Sequence, residues 1–186
     1  MKIETEEISI PLLKEKEVRL FIKRIDKVHP FISGNKWFKL KYNLLESKNQ
    51  ELETLLTFGG AYSNHIAATA FAAKEKGFKS IGIIRGEAHL PLNSTLRFAM
   101  ENGMKLHYIS RSDYREKTTY VFLEKLKAQF GNFYLIPEGG TNELAIEGTA
   151  EILEANDTQD FICCAVGTGG TIAGIINAAT DKQTVI

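Results

Sequence analysis

Residues 54 to 77 read TLLTFGGAYSNHIAATAFAAKEKG, and this stretch decides the fold class. It opens with a short apolar run, which is typical of a buried strand. Two glycines follow, and apolar residues then recur at i, i+4 and i+7 from Ile66, the spacing of one helix face. The serine or asparagine at positions 63 and 64 can cap this helix, and Gly77 can end it. We therefore predict a strand followed by a helix over about residues 63 to 76.

The same order of strand and helix recurs along the chain. An early run, VRLFIKRI at 18 to 25, is rich in strand-forming residues. Later apolar runs are separated by segments with helical spacing: SIGIIR (80 to 85), MKLHYI (104 to 109), FYLIP (133 to 137) and FICCAV (161 to 166). Further helices are predicted from Thr141 to near Asn156 and after the glycines at 167 to 170. This alternation predicts an α/β protein with largely parallel sheets flanked by helices.

Composition and charge narrow the class of ligand. The chain has 186 residues, with 23 basic residues balancing 23 acidic ones. Because no basic run and no membrane-length apolar stretch occurs, we expect no nucleic-acid partner and no membrane span, but a cytoplasmic protein with a small-molecule ligand. The two cysteines, Cys163 and Cys164, are adjacent and lack zinc-ligand spacing. We therefore expect no metal site, and we predict that both cysteines are buried strand residues.

The final residues, NAATDKQTVI, end on what resembles the start of another strand. An unpaired parallel edge at this point would expose backbone groups and apolar surface. We therefore expect this chain to be the N-terminal part of a longer protein.

A glycine-rich turn, VGTGGTIAG at 166 to 174, follows an apolar run and precedes a predicted helix. Glycines there allow several backbone N–H groups to converge on an anion at the helix start, although a tight connection alone would also explain them. Counting the dinucleotide fingerprint from Gly167 places Ile172 where its third glycine should stand, and the lysine of a Walker loop is missing. This disfavours a dinucleotide oxidoreductase and leaves a phosphate site as the functional interpretation.

A second candidate anion site lies at the start of the helix after residue 62. Ser63, Asn64 and the free N–H groups of the first turn can hold a carboxylate, or Ser63 can be only a helix cap. His65 is either an exposed first-turn histidine or a polar lining of the site.

Lys36 falls in the first turn of a helix predicted after the Ser-Gly-Asn turn in FISGNKWFKLKYNLL, residues 31 to 45. The helix dipole and partial burial both favour a neutral amine there, and a neutral lysine can form a Schiff base with a carbonyl. Alternatively, Lys36 is an ordinary solvated charge, as Lys39 and Lys41 are expected to be. An amine for an aldehyde, a loop for a phosphate and a helix start for a carboxylate are together what pyridoxal phosphate acting on an amino acid requires.

Four segments in order resemble one family: SGNKWFKLKYNL, TFGGAYSNHIAATAFAAKEKG, IPEGGTNELAIEG and VGTGGTIAG. They are similar to the fold-type-II (tryptophan synthase β-like) pyridoxal-phosphate enzymes, in particular the group of 1-aminocyclopropane-1-carboxylate deaminase and D-cysteine desulfhydrase. The resemblance implies two domains: a small α/β domain at 48 to 157 inserted into a larger one that includes 1 to 47 and 158 to 186. It also implies a homodimer for the full-length protein.

The resemblance further implies a role for each site residue. Lys36 would carry pyridoxal 5′-phosphate as a Schiff base and act as the catalytic base, and Asn64 would lie beside the ring hydroxyl of the cofactor and near the substrate. Ser63 and His65 would face the substrate, with Ser63 taking part in catalysis. The residues implied to bind the phosphate are Gly167, Thr168, Gly169, Gly170 and Thr171.

The implied activity is a lyase or deaminase reaction on a small amino acid. Either D-cysteine would give pyruvate, sulfide and ammonia, or 1-aminocyclopropane-1-carboxylate would give 2-oxobutyrate and ammonia. Another β-elimination, such as serine dehydration, is an alternative of the same class. A truncated or degenerate relative that binds a phosphorylated ligand or a partner without turnover is the alternative from a different class.

Overall fold

The computed structural model describes residues 2 to 186. The strands, in chain order, are β1 (Thr5–Ile8), β2 (Leu20–Lys23), β3 (Thr54–Gly59), β4 (Lys79–Arg85), β5 (Met104–Ile109), β6 (Tyr134–Ile136), β7 (Phe161–Ile162) and β8 (Thr184–Val185). The helices are α1 (Pro11–Glu15), α2 (Asn35–Asn49), α3 (Asn64–Lys76), α4 (Ser94–Glu101), α5 (Arg111–Arg115), α6 (Tyr120–Phe130), α7 (Glu143–Ala150) and α8 (Gly170–Ala178). Two short 3₁₀ turns span Ile25–Lys27 and Glu138–Gly140.

A parallel four-stranded sheet in the order β5-β4-β3-β6 forms the centre of the molecule. Successive residues of β3 serve opposite faces: Leu55 packs with Ala72 of α3 and Ile136, whereas Leu56 packs with Leu126 of α6. Both faces are therefore covered, which is why the two central strands, β3 and β4, are mostly apolar and buried. The predicted α/β class with parallel sheets flanked by helices is confirmed.

Smaller sheets lie outside this centre. Strands β7 and β8 pair in parallel, and β1 pairs antiparallel with β2. The strand predicted at residues 18 to 25 is thus confirmed in its central part, and the last residues of the chain do contain a short strand.

Helix α3, from which the fold class was predicted, has the predicted ends. The Ser63 hydroxyl accepts a hydrogen bond from the Ile66 N–H at 3.3 Å, and Gly77 follows the helix with a left-handed φ of 78°. The N-terminal cap satisfies one free backbone donor, and the glycine adopts without strain a conformation that other residues avoid. Gly59 also has no room for a side chain, since a Cβ there would lie 2.8 Å from the Ser63 hydroxyl oxygen.

Helices α2, α7 and α8 pack with their backbones in close contact. A Cβ at Gly148 of α7 would lie 2.1 Å from the Phe38 carbonyl oxygen of α2, and one at Gly174 of α8 would lie 2.1 Å from the Thr149 hydroxyl. A buried polar pair reinforces this packing: Asn142, the cap of α7, donates to the Asn43 side chain at 2.7 Å and accepts from it at 3.1 Å. The three helices therefore hold the start of α2 beside the glycine-rich turn before α8.

Three sequence predictions are wrong in this region: the end of one helix, the length of one strand and the burial of the two cysteines. Helix α7 ends at Ala150 and not near Asn156, because the chain tightens there through Glu151 N–H and Ile152 N–H bonds to carbonyls three residues back, and Ile152 turns into the core. The strand predicted at 161 to 166 covers only Phe161–Ile162, so Cys163 is exposed and Cys164 is partly exposed. Within residues 2 to 186 this strand pairs only with the two-residue β8, and no second layer buries the cysteines.

None of the helices in residues 2 to 186 combines the length and the apolar character needed to cross a membrane. The predicted domain division, with residues 48 to 157 inserted between 1 to 47 and 158 to 186, stays a prediction, and so does the cytoplasmic location.

Candidate active site

Lys36 is the second residue of α2, and its ammonium group donates to the carbonyl oxygen of Gly139 at 3.1 Å. The side chain is partly buried, and burial followed by the charge of Lys39 lowers its pKa from 10.5 to about 8. With that pKa, about a tenth of the amine is neutral at pH 7, compared with well under a thousandth for a free lysine. The amine is therefore poised to act as a nucleophile or a base.

The sequence prediction for Lys39 is wrong. Its side chain was expected to be a solvated charge, but it is only 2% exposed. Its ammonium group donates to the Gly139 carbonyl at 3.2 Å, to the Thr141 hydroxyl at 2.9 Å and to the Thr168 hydroxyl at 3.3 Å. All three donors of the ammonium are used, which is what allows so deep a lysine to remain charged although burial lowers its pKa. Its i, i+3 spacing places it on the same helix face as Lys36, but that spacing does not reveal the distant acceptors that bury it.

The glycine-rich turn lies opposite these lysines. Gly169 has a left-handed φ of 84° and directly precedes α8, and a Cβ at Gly167 or Gly169 would meet no neighbouring atom within 4 Å. The side chain of Asn35 donates to the Thr171 hydroxyl at 2.6 Å, which ties the start of α2 to the start of α8. The turn therefore presents open backbone at the N-terminus of a nine-residue helix.

The lysines and the turn enclose a cleft of about 190 Å³. Its lining residues are Asn35, Lys36, Lys39, Gly139, Ala165, Val166, Gly167, Thr168, Gly169, Thr171 and Ile172. Among the described residues that line it, none is acidic. Two lysines, two threonine hydroxyls and a helix N-terminus suit an anion, and the lowered pKa of Lys36 suits an aldehyde beside it.

Gly139 and Gly140 form a turn between this cleft and α3. Both have left-handed φ values, 68° and 71°. A Cβ on Gly139 would lie 2.7 Å from the Thr168 side chain, and a Cβ on Gly140 would lie 2.9 Å from Cε1 of His65. The turn thus fills the space between the glycine-rich turn and the first turn of α3, and neither position has room for a side chain.

Ser63, Asn64 and His65 lie on the far side of that turn. Ser63 is half-buried as the cap of α3 and Asn64 is exposed, and neither lines the 190 Å³ cleft. His65 is 2% exposed, so the exposed alternative for this residue is wrong. The structure therefore brings Lys36 together with four of the five phosphate candidates, Gly167, Thr168, Gly169 and Thr171, while the buried Gly170 lies behind them against Lys39.

The protonation of His65 follows from its neighbours. The Thr57 hydroxyl donates its only proton to the Ile136 carbonyl at 2.8 Å, so the 2.8 Å contact with His65 Nε2 requires that nitrogen to carry a proton. Burial, followed by the charges of Lys36 and Lys39, lowers the pKa of His65 to about 3. His65 is therefore neutral, and its Nδ1 is a buried acceptor without a hydrogen-bond partner among residues 2 to 186.

Comparison with known proteins defines the class to which this fold and site belong. The sequence profile of the pyridoxal-phosphate dependent enzymes matches residues 3 to 186. This chain belongs to that family, and pyridoxal 5′-phosphate is its cofactor. The resemblance seen in the four sequence segments and the fold-type-II architecture are both confirmed.

Two curated relatives narrow the group within the family. A Thermotoga maritima protein, provisionally named a 1-aminocyclopropane-1-carboxylate deaminase, is 36% identical over 84% of this chain and 52% of its own length. The mitochondrial bifunctional D-cysteine desulfhydrase/1-aminocyclopropane-1-carboxylate deaminase of Arabidopsis thaliana is 36% identical over 84% of this chain and 44% of its own length. The chain therefore spans about half the length of the curated relatives it matches.

Solved structures agree with the fold assignment. The crystal structure of a homologue of 1-aminocyclopropane-1-carboxylate deaminase superimposes with a TM-score of 0.79 and 26% identity, covering 96% of this chain and 56% of the other. A pyridoxal 5′-phosphate-dependent aspartate racemase, at 17% identity and a TM-score of 0.71, shares the fold; 97% of this chain and 56% of that one are covered.

Proposed function

We propose that this chain contributes the cofactor-binding half of a lyase or deaminase that acts on a small amino acid. The observation that carries the proposal is the Lys36 amine, which has a pKa of about 8 and lies in a cleft lined by the glycine-rich turn. An amine of this kind beside an anion site is what a phosphorylated aldehyde cofactor requires.

Lys36 would hold the cofactor covalently, and its amine would accept the proton from the α-carbon of the substrate. Pyridoxal phosphate, when bound, supplies an electron sink for the charge that remains on that carbon. Lys36 suits proton transfer because a base with a pKa near the working pH both accepts and returns protons. Its bond to the Gly139 carbonyl keeps the Nζ atom in the cleft.

The phosphate end is proposed to sit at the glycine-rich turn, held by the backbone of Gly167, Gly169 and Gly170 and by the hydroxyls of Thr168 and Thr171. Lys39 supports this interpretation, because its ammonium already contacts the Thr168 hydroxyl and brings a positive charge to that end.

The carboxylate end is proposed to sit at the start of α3. Ser63 and the free N–H groups of a 13-residue helix supply donors for a carboxylate, and Asn64 and His65 belong to the same turn. Ser63 would position a D-cysteine carboxylate, or would assist ring opening if the substrate is 1-aminocyclopropane-1-carboxylate. The names of the two curated relatives support these substrates over others. A homodimeric, cytoplasmic enzyme stays part of the proposal.

The test is to incubate the purified protein with pyridoxal phosphate, reduce it with borohydride and locate the modified lysine by peptide mapping. Label on Lys36 supports the proposal, and a panel of D-cysteine, L-cysteine, D-serine and 1-aminocyclopropane-1-carboxylate then identifies the substrate. Label scattered over surface lysines, with Lys41 as the internal comparison, would overturn it in favour of a relative that kept the fold without the chemistry.

A further inference from the structure

Three arginines gather at the carboxyl edge of the central sheet, away from the Lys36 cleft. Arg85 ends β4, and Arg111 and Arg115 are the first and last residues of α5, which follows β5. Within residues 2 to 186, no carboxylate oxygen lies within the 4.0 Å ion-pair distance of any of these guanidinium groups, and none of the three makes a hydrogen bond. By contrast, Arg19 and Arg24 are both paired with carboxylates.

These arginines face a shared cleft of about 370 Å³. Its lining residues are Arg85, Arg111, Tyr114, Arg115, Lys117 and Glu138. Glu138 is the acidic member, and it is already engaged: the Tyr114 hydroxyl donates to it at 2.8 Å and the Lys117 ammonium lies 3.3 Å away. Because Lys117 balances Glu138, the charges of the three arginines are uncompensated.

Acidic side chains near the cleft are directed elsewhere. Asp113, on α5 between the two arginines, accepts a hydrogen bond from Ser110 at 2.8 Å. Glu87 and Glu116 are exposed, and neither forms an ion pair with the arginines. Three like charges lining one cleft repel one another unless an anion joins them.

Tyr114 makes part of this arrangement rigid. It is 3% exposed, and its ring packs edge-on against Phe58 with centroids 6.0 Å apart. The Arg85 guanidinium carbon lies 5.8 Å from the centre of the ring, and the Lys117 ammonium lies 4.9 Å from it. Stacking on a fixed ring already restricts the guanidinium group, so less conformational entropy is lost when it binds a ligand.

We propose that Arg85, Arg111 and Arg115 form a binding site for a small polyanion that carries carboxylate or phosphate groups. Guanidinium groups bind both through paired N–H donors, and a second cleft of about 770 Å³ that shares Arg85 and Arg111 gives the ligand room. The site shares no lining residue with the Lys36 cleft, although Arg85 Nη2 lies 3.8 Å from where a Cβ on Gly60 would be and Glu138 precedes Gly139, which lines that cleft. The anion is either a second acidic group on an amino acid or a separate ligand.

The test is calorimetric titration of the purified protein with inorganic pyrophosphate and with citrate at low ionic strength. Arg85→Gln and Arg115→Gln should each weaken binding by roughly tenfold, since each removes charge-assisted hydrogen bonds. Arg97→Gln is the matched control, because Arg97 is exposed on α4 and its guanidinium donates only to the Leu92 carbonyl. As a measurement that needs no variant, pyrophosphate should protect Arg85 and Arg115 from phenylglyoxal, but not Arg97.

Competition identifies the source of the anion. Displacement of pyrophosphate by aspartate but not by alanine assigns the site to a second acidic group of an amino acid, and displacement by neither assigns it to a separate anion. Displacement by both amino acids would overturn the proposal, because it would mean that pyrophosphate occupies a site for the α-carboxylate that aspartate and alanine share. Absence of binding, or equal binding by the wild type, Arg85→Gln and Arg115→Gln, would also overturn it.

This site goes beyond the proposed function and is tested separately. Lys36→Ala should lose covalent attachment of the cofactor while keeping its affinity for pyrophosphate. If the labelling of Lys36 fails and pyrophosphate still binds through Arg85, the proposed function falls and the anion site stands.

Discussion

Lys36 and Lys39 donate to the same acceptor, the carbonyl oxygen of Gly139, at 3.1 and 3.2 Å. Two ammonium groups so close to one oxygen repel each other, so the pair favours loss of one proton. Lys39 has two further acceptors, whereas the Lys36 ammonium has no second acceptor among residues 2 to 186, so Lys36 is the one that deprotonates. A fully charged neighbour thus helps to produce the neutral amine.

The first prediction concerns the pH at which Lys36 reacts. Below pH 8 the amine is mostly protonated and unreactive, so its acetylation in the cofactor-free protein should rise through a midpoint near pH 8. Lys41 is the internal comparison, because its hydrogen bond to Glu151 raises its pKa. Competitive labelling followed by mass spectrometry measures both, and equal midpoints for the two lysines would contradict the assignment.

The second prediction removes the neighbouring charge. Lys39→Gln should raise the midpoint of Lys36 by several tenths of a unit to about one unit, because a like charge is lost while burial remains. Lys41→Gln, which changes an exposed ion pair on the same helix, should leave the midpoint where it is. A midpoint that falls in Lys39→Gln would show that Lys39 does not act through its charge.

The third prediction tests the close helix packing. Gly148→Ala should destabilise the protein by about 3 kcal/mol, because the new methyl group would meet the Phe38 carbonyl oxygen and force α2 and α7 apart. Gly167→Ala is the control, since it has open space and an ordinary φ, and its unfolding midpoint should stay near that of the wild type. Urea denaturation compares them, and equal stability of the two variants would refute close backbone contact.

The fourth prediction concerns the buried polar pair. The Asn43 amide donates to the Lys39 carbonyl and to Asn142, and accepts from Asn142 and from Tyr134, so all of its hydrogen-bonding capacity is used. Asn43→Ala leaves the Asn142 amide N–H and the buried Tyr134 hydroxyl without this acceptor and should cost about 3 kcal/mol in unfolding free energy. Asn49→Ala, at the exposed end of the same helix, should change it by less than about 0.5 kcal/mol. A loss no larger than that of Asn49→Ala would contradict the network.

The fifth prediction follows from His65. Its pKa is lowered from 6.5 to about 3 in the folded protein, so between these values the unfolded chain binds a proton that the folded chain does not. Stability from this residue is therefore present above pH 6.5 and is lost as the pH falls toward 3, by about 1.4 kcal/mol per unit. His65→Gln should remove that part of the slope when unfolding free energies are compared across the range. Parallel curves for the two proteins would contradict a buried neutral imidazole.

Much of the central sheet was predictable because its signals are local. The run at 104 to 109 became a strand with the same bounds, and the helix after Gly60 has the predicted serine cap and glycine end. Short apolar runs bounded by glycines leave few alternatives when both sheet faces are covered. The glycine-rich turn before α8 was also found, because its spacing to the helix start is visible in the sequence.

The sequence predictions that are wrong depend on contacts between segments that lie far apart in the chain. Lys39 is buried by Gly139 and Thr168, which are 100 and 129 residues away, and no local pattern reveals such partners. The cysteines after Phe161–Ile162 look apolar in sequence, yet burial requires a covering layer that residues 2 to 186 do not provide. The uncompensated arginines were missed for the same reason, because they converge from the ends of different strands.

The turn at Gly139 and Gly140 determines which sequences this fold tolerates. A side chain at position 139 would clash with Thr168, and one at position 140 would clash with His65. Both positions also have a backbone conformation that only glycine adopts easily. In a library randomised over residues 138 to 141, selection for folded protein should therefore return glycine at both central positions. Allowing Thr168 and His65 to vary to smaller residues would relieve the crowding but not the backbone strain. Glycine is therefore required separately at each of the two positions, and changing one of them does not remove the requirement at the other.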